Sequence, residues 1–170
     1  MFKFSRRDFL KTGGAAGAVT ASVSWVAPAA AQNAEGAAGA TLAYPSKVVA
    51  MLDGLTVNQP HSFSYPDPSS PCILLKLGAP VPGGAGPEQD LVAYSALCTH
   101  MGYPVSYHAE SRTFRCPGHF SIFDPEKSGQ QVCGQATEAL PHIELAVAED
   151  GSISAVGIQG HLYGRLSNLL

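Results

Sequence analysis

Two short runs carry the residues best suited to chemistry. Cys98-Thr99-His100 and Cys116-Pro117-Gly118-His119 are separated by fifteen residues, giving the pattern C-x-H-x15-C-x-x-H. Thiolates are soft, charged donors and imidazoles are neutral ones, so this set suits a transition metal. One reading is a structural zinc held by two Cys and two His. The other is a [2Fe–2S] cluster, in which each loop gives one Cys to one iron and one His to the other. Two imidazoles leave such a cluster less negative than four thiolates would. That places its potential at roughly −150 to +300 mV, against about −400 mV for plant-type all-cysteine clusters. Two Cys/His pairs with Pro117 inside the second favour iron–sulfur.

Loops of this kind must be held facing each other, and the rest of the chain reads as β structure able to do it. The 170 residues are 45% hydrophobic and include 18 Gly and 13 Pro, enough for one loop-rich domain with a core. Strands are expected at Lys47–Leu52, Ser62–Tyr65, Cys72–Leu77, Leu91–Ser95, Pro104–His108, Thr113–Arg115, Ser121–Phe123, His142–Ala148 and Ser152–Ile158. Asp150-Gly151 suits a hairpin turn, and Glu110-Ser111-Arg112 a second one. Residues 78–90 are too rich in Pro and Gly for regular structure and read as an exposed loop. With no helix-period stretch after residue 40, the expected class is all-β, in one domain.

The N-terminus reads as an export signal. Residues 5–11 are SRRDFLK, followed by a Gly- and Ala-rich run without Leu, Ile or Phe, then Pro28 and Ala29-Ala30-Ala31. A twin arginine, a mildly apolar stretch and a small-residue cleavage site resemble a Tat signal. The alternative is a retained membrane tether, but the span is poorly driven into hydrocarbon. Residues 1–31 are therefore assigned to the signal, 32–40 to a flexible linker and 41–170 to the folded domain. The Tat route carries folded proteins, which fits a cofactor loaded in the cytoplasm before export to the periplasm.

Charge excludes one function class. Residues 32–170 hold six Lys and Arg against twelve Asp and Glu. An acidic body lacks the basic surface that nucleic acid requires.

CTHMGY and CPGHFSIFD resemble the two boxes of the Rieske family. The resemblance implies that Cys98 and Cys116 bind one iron and His100 and His119 the other, with the histidine-bound iron near the surface. It implies that the Ser121 hydroxyl bonds a bridging sulfide, and that Gly102 and Pro117 shape the loops. It also implies the Rieske fold: a six-stranded antiparallel β base with a smaller cluster-binding β subdomain inserted near residues 94–126. Two departures stand out. The second cysteine of each box, which forms a loop-tying disulfide in many members, is here Tyr103 and Gly118. The loops must then be held by packing, by the cluster or by a partner. The tyrosine that often donates to a cysteine sulfur is Phe123, which predicts a potential in the lower part of the range.

With the Tat signal and the segment Gly134-Gln135-Ala136-Thr137-Glu138-Ala139-Leu140-Pro141, the chain is most similar to the small subunits of arsenite oxidases. That similarity implies a heterodimer with a molybdopterin and [3Fe–4S] large subunit, and a cytochrome c or azurin-like acceptor. No catalytic residue for the substrate is expected on this chain. The alternative is the Rieske subunit of a quinol–cytochrome c oxidoreductase. Cys72 and Cys133 read as separate thiols, although an oxidising compartment would let them pair. His61, His108, His142 and His161 have no ligand spacing, and Trp25 lies in the signal. The apolar C-terminal tail, with Leu162, Tyr163, Leu166, Leu169 and Leu170, either packs on its own domain or docks on a partner.

Overall fold

The computed structural model describes residues 44–164. The signal, the linker, Trp25 and tail residues Leu166, Leu169 and Leu170 lie outside them.

Ten strands form two antiparallel sheets. The larger contains β1 (Lys47–Met51), β2 (His61–Ser64), β3 (Pro71–Lys76), β4 (Leu91–Ser95), β9 (His142–Val147) and β10 (Ser152–Gln159), in the order β1-β10-β9-β4-β3-β2. The smaller contains β5 (Ser106–His108), β6 (Thr113–Arg115), β7 (Ile122–Asp124) and β8 (Gln130–Cys133), in sequence order. It is inserted between β4 and β9.

The apolar run of β3 and β4 is sorted by the two-residue period of a strand. Ile73, Leu75, Val92 and Tyr94 face a core shared with Val105, Phe114 and Phe123 of the small subdomain. Cys72, Leu74, Leu91 and Ala93 face a second core with Tyr65, Ile143, Ile153 and Ala155. A strand pair buried on both faces is apolar at every position, which is why this segment reads as a continuous run and not an alternating one.

The two edges of the large sheet meet. His61 Nε2 donates to the Val49 carbonyl at 3.0 Å, and Lys47 Nζ to the Ser64 carbonyl at 2.7 Å. β1 and β2 are thus joined by side chains where no ladder closes, which covers two otherwise open edges. Among the described residues no helix is long and apolar enough to cross a membrane.

Polar links dock the small sheet on the large one. Tyr94 Oη donates to the Pro125 carbonyl at 2.9 Å, Arg112 Nη2 to the Leu77 carbonyl at 2.8 Å, and Asn58 Nδ2 to the Ala109 carbonyl at 3.1 Å. The Arg112 guanidinium also pairs with Glu126 at 2.6 Å.

Both expected hairpin turns form. Gly151 turns β9 into β10 at φ 80°, and Arg112 stands between β5 and β6 at φ 53°. Three sequence expectations need correction. β8 has no counterpart among the expected strands, and it carries the small sheet to Cys133, past the boundary near residue 126. β5 starts at Ser106, because Pro104 has no N–H to donate and makes only an isolated bridge to Leu97. β7 starts at Ile122, where its pairing with β6 begins opposite Arg115. Most of residues 78–90 is exposed as expected, but Asp90 is buried and accepts from the Gly78 amide at 3.1 Å.

Candidate metal centre

The two Cys/His runs become two loops with the same backbone hydrogen bonds. In the first, the Cys98 amide donates to the Tyr103 carbonyl and the Gly102 amide to the Cys98 carbonyl, each at 2.8 Å. In the second, the Cys116 amide donates to the Ser121 carbonyl at 2.8 Å and the Phe120 amide to the Cys116 carbonyl at 3.1 Å. Each closure needs a left-handed residue four positions after the cysteine: Gly102 at φ 71° and Phe120 at φ 61°. Glycine adopts that conformation freely, whereas a β-carbon costs about 1–2 kcal/mol there. The second loop accepts this strain and leaves the Phe120 ring 77% exposed.

The loops face each other with thiols inward and imidazoles outward. Cys98 and Cys116 are 1% and 3% exposed, whereas His100 is half-buried and His119 exposed. The Cys98 and Cys116 sulfurs lie within hydrogen-bonding reach of one another. The His100 and His119 rings stand edge to face with centroids 4.7 Å apart. His100 Nδ1 is buried without a hydrogen-bond partner. A buried lone pair with nothing to accept is costly unless a metal takes it.

A tetrahedral zinc site draws all four donors around one point, whereas a two-iron cluster can take thiolates on one iron and imidazoles on the other. Here the two thiols are brought together and the two imidazole rings are brought together.

The Cys98 thiol is pushed above its ordinary pKa, first by burial and then by Cys116. The His100 amide and the Ser121 hydroxyl act the other way, stabilising the thiolate. Two buried thiols must lose protons when metal binds, so loading releases protons and weakens as pH falls.

Packing ties the loops, whose Tyr103 and Gly118 cannot form a disulfide. A β-carbon on Gly118 would lie 3.1 Å from the Tyr103 ring, so the ring occupies the space that a cysteine side chain at this position would need. Tyr103 also meets the His119 ring edge to face at 6.0 Å. On the other side, a β-carbon on Gly102 would lie 2.3 Å from the Gly164 α-carbon. Gly164 of the tail therefore packs on its own domain, against the first loop. Met101, Tyr103 and Phe120 are exposed around the imidazoles, and neither loop carries a charge.

Ser121 is fully buried, and its Oγ accepts from the Ala136 amide at 2.9 Å. Phe123, also fully buried, packs in the core that holds both cysteines. Cys72 and Cys133 are both free thiols. Cys72 is buried in β3, its pKa pushed up to about 12 by burial, and Cys133 is exposed on β8. Of the other histidines, His61 closes the base sheet, His142 packs on Tyr94 with centroids 5.2 Å apart, and His108 and His161 are exposed. No structural role for Phe120, Ala136 or Gly164 was readable from the sequence, since their parts depend on backbone groups and on contacts distant along the chain.

Comparison with known proteins agrees with this geometry. Residues 73–144 match the Rieske [2Fe-2S] domain model, and residues 3–22 match the TAT (twin-arginine translocation) pathway signal sequence. The iodate reductase subunit IdrB of Denitromonas iodatirespirans is 41% identical over 167 residues, covering 96% of this chain and 86% of the relative. IdrB of Pseudomonas sp. (strain SCT) is 38% identical over 94% of this chain and 82% of its own length. The cytochrome bc1 complex Rieske iron-sulfur subunit of Corynebacterium diphtheriae is 44% identical, but over only 40% of this chain and 17% of that protein. The soluble domain of Rieske protein II (soxF) from Sulfolobus acidocaldarius shares the fold, with a TM-score of 0.65 at 24% identity over 79% of this chain and 86% of that one. Two opposed Cys/His loops on an antiparallel base, with two relatives alike over nearly all of this chain, make it an exported member of the Rieske [2Fe–2S] family.

Proposed function

We propose that Cys98 and Cys116 hold one iron of the single [2Fe–2S] cluster and His100 and His119 the other, and that the chain works in the periplasm as the electron-transfer subunit of an iodate-reducing enzyme. The cluster supplies one-electron redox chemistry. The chain's own residues hold it, keep water from the thiolate side, and leave the imidazole side at the surface. Short electron-transfer distance requires that kind of asymmetry: a buried, hydrogen-bonded end that sets the potential and an exposed end that meets a partner.

The observation that carries the iodate reading is likeness over 96% and 94% of this chain to two IdrB subunits. A larger catalytic subunit carrying molybdopterin and a [3Fe–4S] cluster would turn over the substrate. A cytochrome c or azurin-like protein would exchange electrons with this chain. The apolar, uncharged rim formed by Met101, Tyr103 and Phe120 suits contact with a protein.

A second reading, arsenite oxidation, is favoured by the boxes CTHMGY and CPGHFSIFD followed by GQATEALP. The quinol-oxidising alternative is disfavoured, because likeness to the bc1 subunit covers only 40% of this chain and 17% of that protein. The native complex, isolated and identified by mass spectrometry, decides between the first two. Iodate-dependent oxidation of a reduced cytochrome supports the first reading. Arsenite-dependent cytochrome reduction, without iodate turnover, replaces it with the second.

A further inference from the structure

The segment Gly134–Glu138 touches both ligand loops from behind. Its Ala136 amide donates to Ser121 Oγ at 2.9 Å, at the end of the second loop. Its Glu138 carbonyl accepts from Thr99 Oγ1 at 2.8 Å, in the first loop between Cys98 and His100. Both hydroxyl residues are buried, Ser121 at 0% and Thr99 at 4% exposure. Gly134, at φ 103°, lies so close that a β-carbon there would stand 2.3 Å from the Ser121 α-carbon and 2.8 Å from its Oγ. One short segment thus bonds both loops at once, in a chain with no disulfide between them.

The bond to Ser121 has a directional consequence. A hydroxyl has one proton and two lone pairs. When the Ala136 N–H occupies one lone pair, the Ser121 proton must point away from Ala136. With zero exposure, the hydroxyl is shut off from bulk water and its proton is left to a neighbour within the site. The Cys98 sulfur is that neighbour, within hydrogen-bonding reach of the Ser121 hydroxyl.

We propose that Gly134–Glu138 is a positioning strap, in which the Ala136 amide fixes the Ser121 hydroxyl as a donor to the sulfur side of the cluster and so raises the cluster's potential. The inference rests on the cluster assignment above and adds a residue that never touches the cluster. Ala136 acts only through Ser121. A donor to a ligand sulfur withdraws charge and favours the reduced form, so misdirecting it lowers the potential.

The experiment is a double-mutant cycle read by protein-film voltammetry on the full chain, with iron content and electron paramagnetic resonance as controls. Ala136→Pro removes the amide proton, and Ser121→Ala removes the hydroxyl. Each variant is expected to shift the potential downward, Ser121→Ala further. Ala136→Pro is expected to add nothing when combined with Ser121→Ala. Gly134→Ala, which displaces Ser121, serves as the second probe if Ala136→Pro does not load iron, and the same non-additivity is expected of it. Equal shifts from the strap variant with and without the Ser121 hydroxyl overturn the proposal, as does a loaded strap variant with an unshifted potential. A wild-type chain that binds no iron overturns the cluster assignment itself, a different failure from additive shifts in a loaded protein.

Discussion

β3 and β4 bury nearly every side chain they own, on two faces, against two apolar cores. The ligand loops bury two thiols and leave Met101, Tyr103, His119 and Phe120 exposed. The first region is stabilised by area removed from water, which is non-directional and tolerant of detail. The second is stabilised by single contacts whose geometry is strict: two left-handed residues, a ring laid on Gly118, a tail on Gly102, and hydroxyl bonds to Gly134–Glu138. A sheet built the first way can outlive damage to loops built the second way, but not the reverse. That asymmetry suits a redox carrier, whose rigid base presents a chemically specialised tip.

The largest expected effect breaks the tip alone. His100→Ala or Cys116→Ala should abolish the cluster, removing its iron and its paramagnetic signal. The base sheet should remain, read as near-native far-ultraviolet circular dichroism. Loss of the sheet along with the iron would mean that the base depends on the cluster, and the contrast between the two regions would fail.

The converse variant strikes the base. Leu74 is fully buried in the core away from the ligand loops. Leu74→Ala should cost about 2–5 kcal/mol in urea unfolding, and cluster and sheet should be lost in one transition. A cluster signal that persists after the sheet has melted would show that the tip folds independently.

The same contrast explains what the sequence could disclose. Ile73–Leu77 and Leu91–Ser95 were legible as strands because burial on a pleated surface leaves a mark in composition. The four candidate ligands stood out in the sequence because few residue types bind iron and each Cys/His pair is closely spaced. β8 was not, since Gln130-Gln131-Val132-Cys133 lacks apolar alternation and owes its strand form to pairing with β7 at an exposed edge. Nor were the ties between the loops. Tyr103 and Gly118 showed only that a disulfide was missing, and the replacing contact exists only once the loops face each other. Gly102 and Gly164 are distant along the chain, and a glycine gives no hint of what approaches it.

A subtler test addresses that tail contact. Gly102→Ala places a β-carbon where the Gly164 backbone lies, and also strains a left-handed position by about 1–2 kcal/mol. It should speed loss of the cluster to an iron chelator several-fold without unfolding the base. Ending the chain at Gln159 should speed it too, with no strain introduced in the loop. A truncated chain that holds its cluster as long as the full one would show that the tail does not support the first loop. Smaller still is the effect of Phe123→Tyr, which adds a hydroxyl inside the core shared with both cysteines. An upward shift in midpoint potential is expected, and an unchanged potential would mean that the hydroxyl does not reach a ligand sulfur.

The smallest effect belongs to the base and is read through pH. His142 sits where β9 meets β4, paired with Tyr94 and packed on its ring. Burial holds its pKa below the ordinary 6.5, against a weaker upward pull from Glu144. The unfolded chain therefore takes up a proton, as pH drops below about 6.5, that the folded chain resists. Stability from this residue is fully present above that value and is lost as pH falls through the lowered folded value. His142→Gln, which cannot titrate, should flatten that part of the pH dependence. The measurement is the urea midpoint of both proteins at successive pH values between about 7.5 and 5, a window that brackets the ordinary histidine pKa. Other groups bend both curves alike, so the informative quantity is the difference between the two proteins. A difference that does not change with pH would mean that His142 contributes by packing alone, and the base would then be insensitive to acid at its junction with the small subdomain.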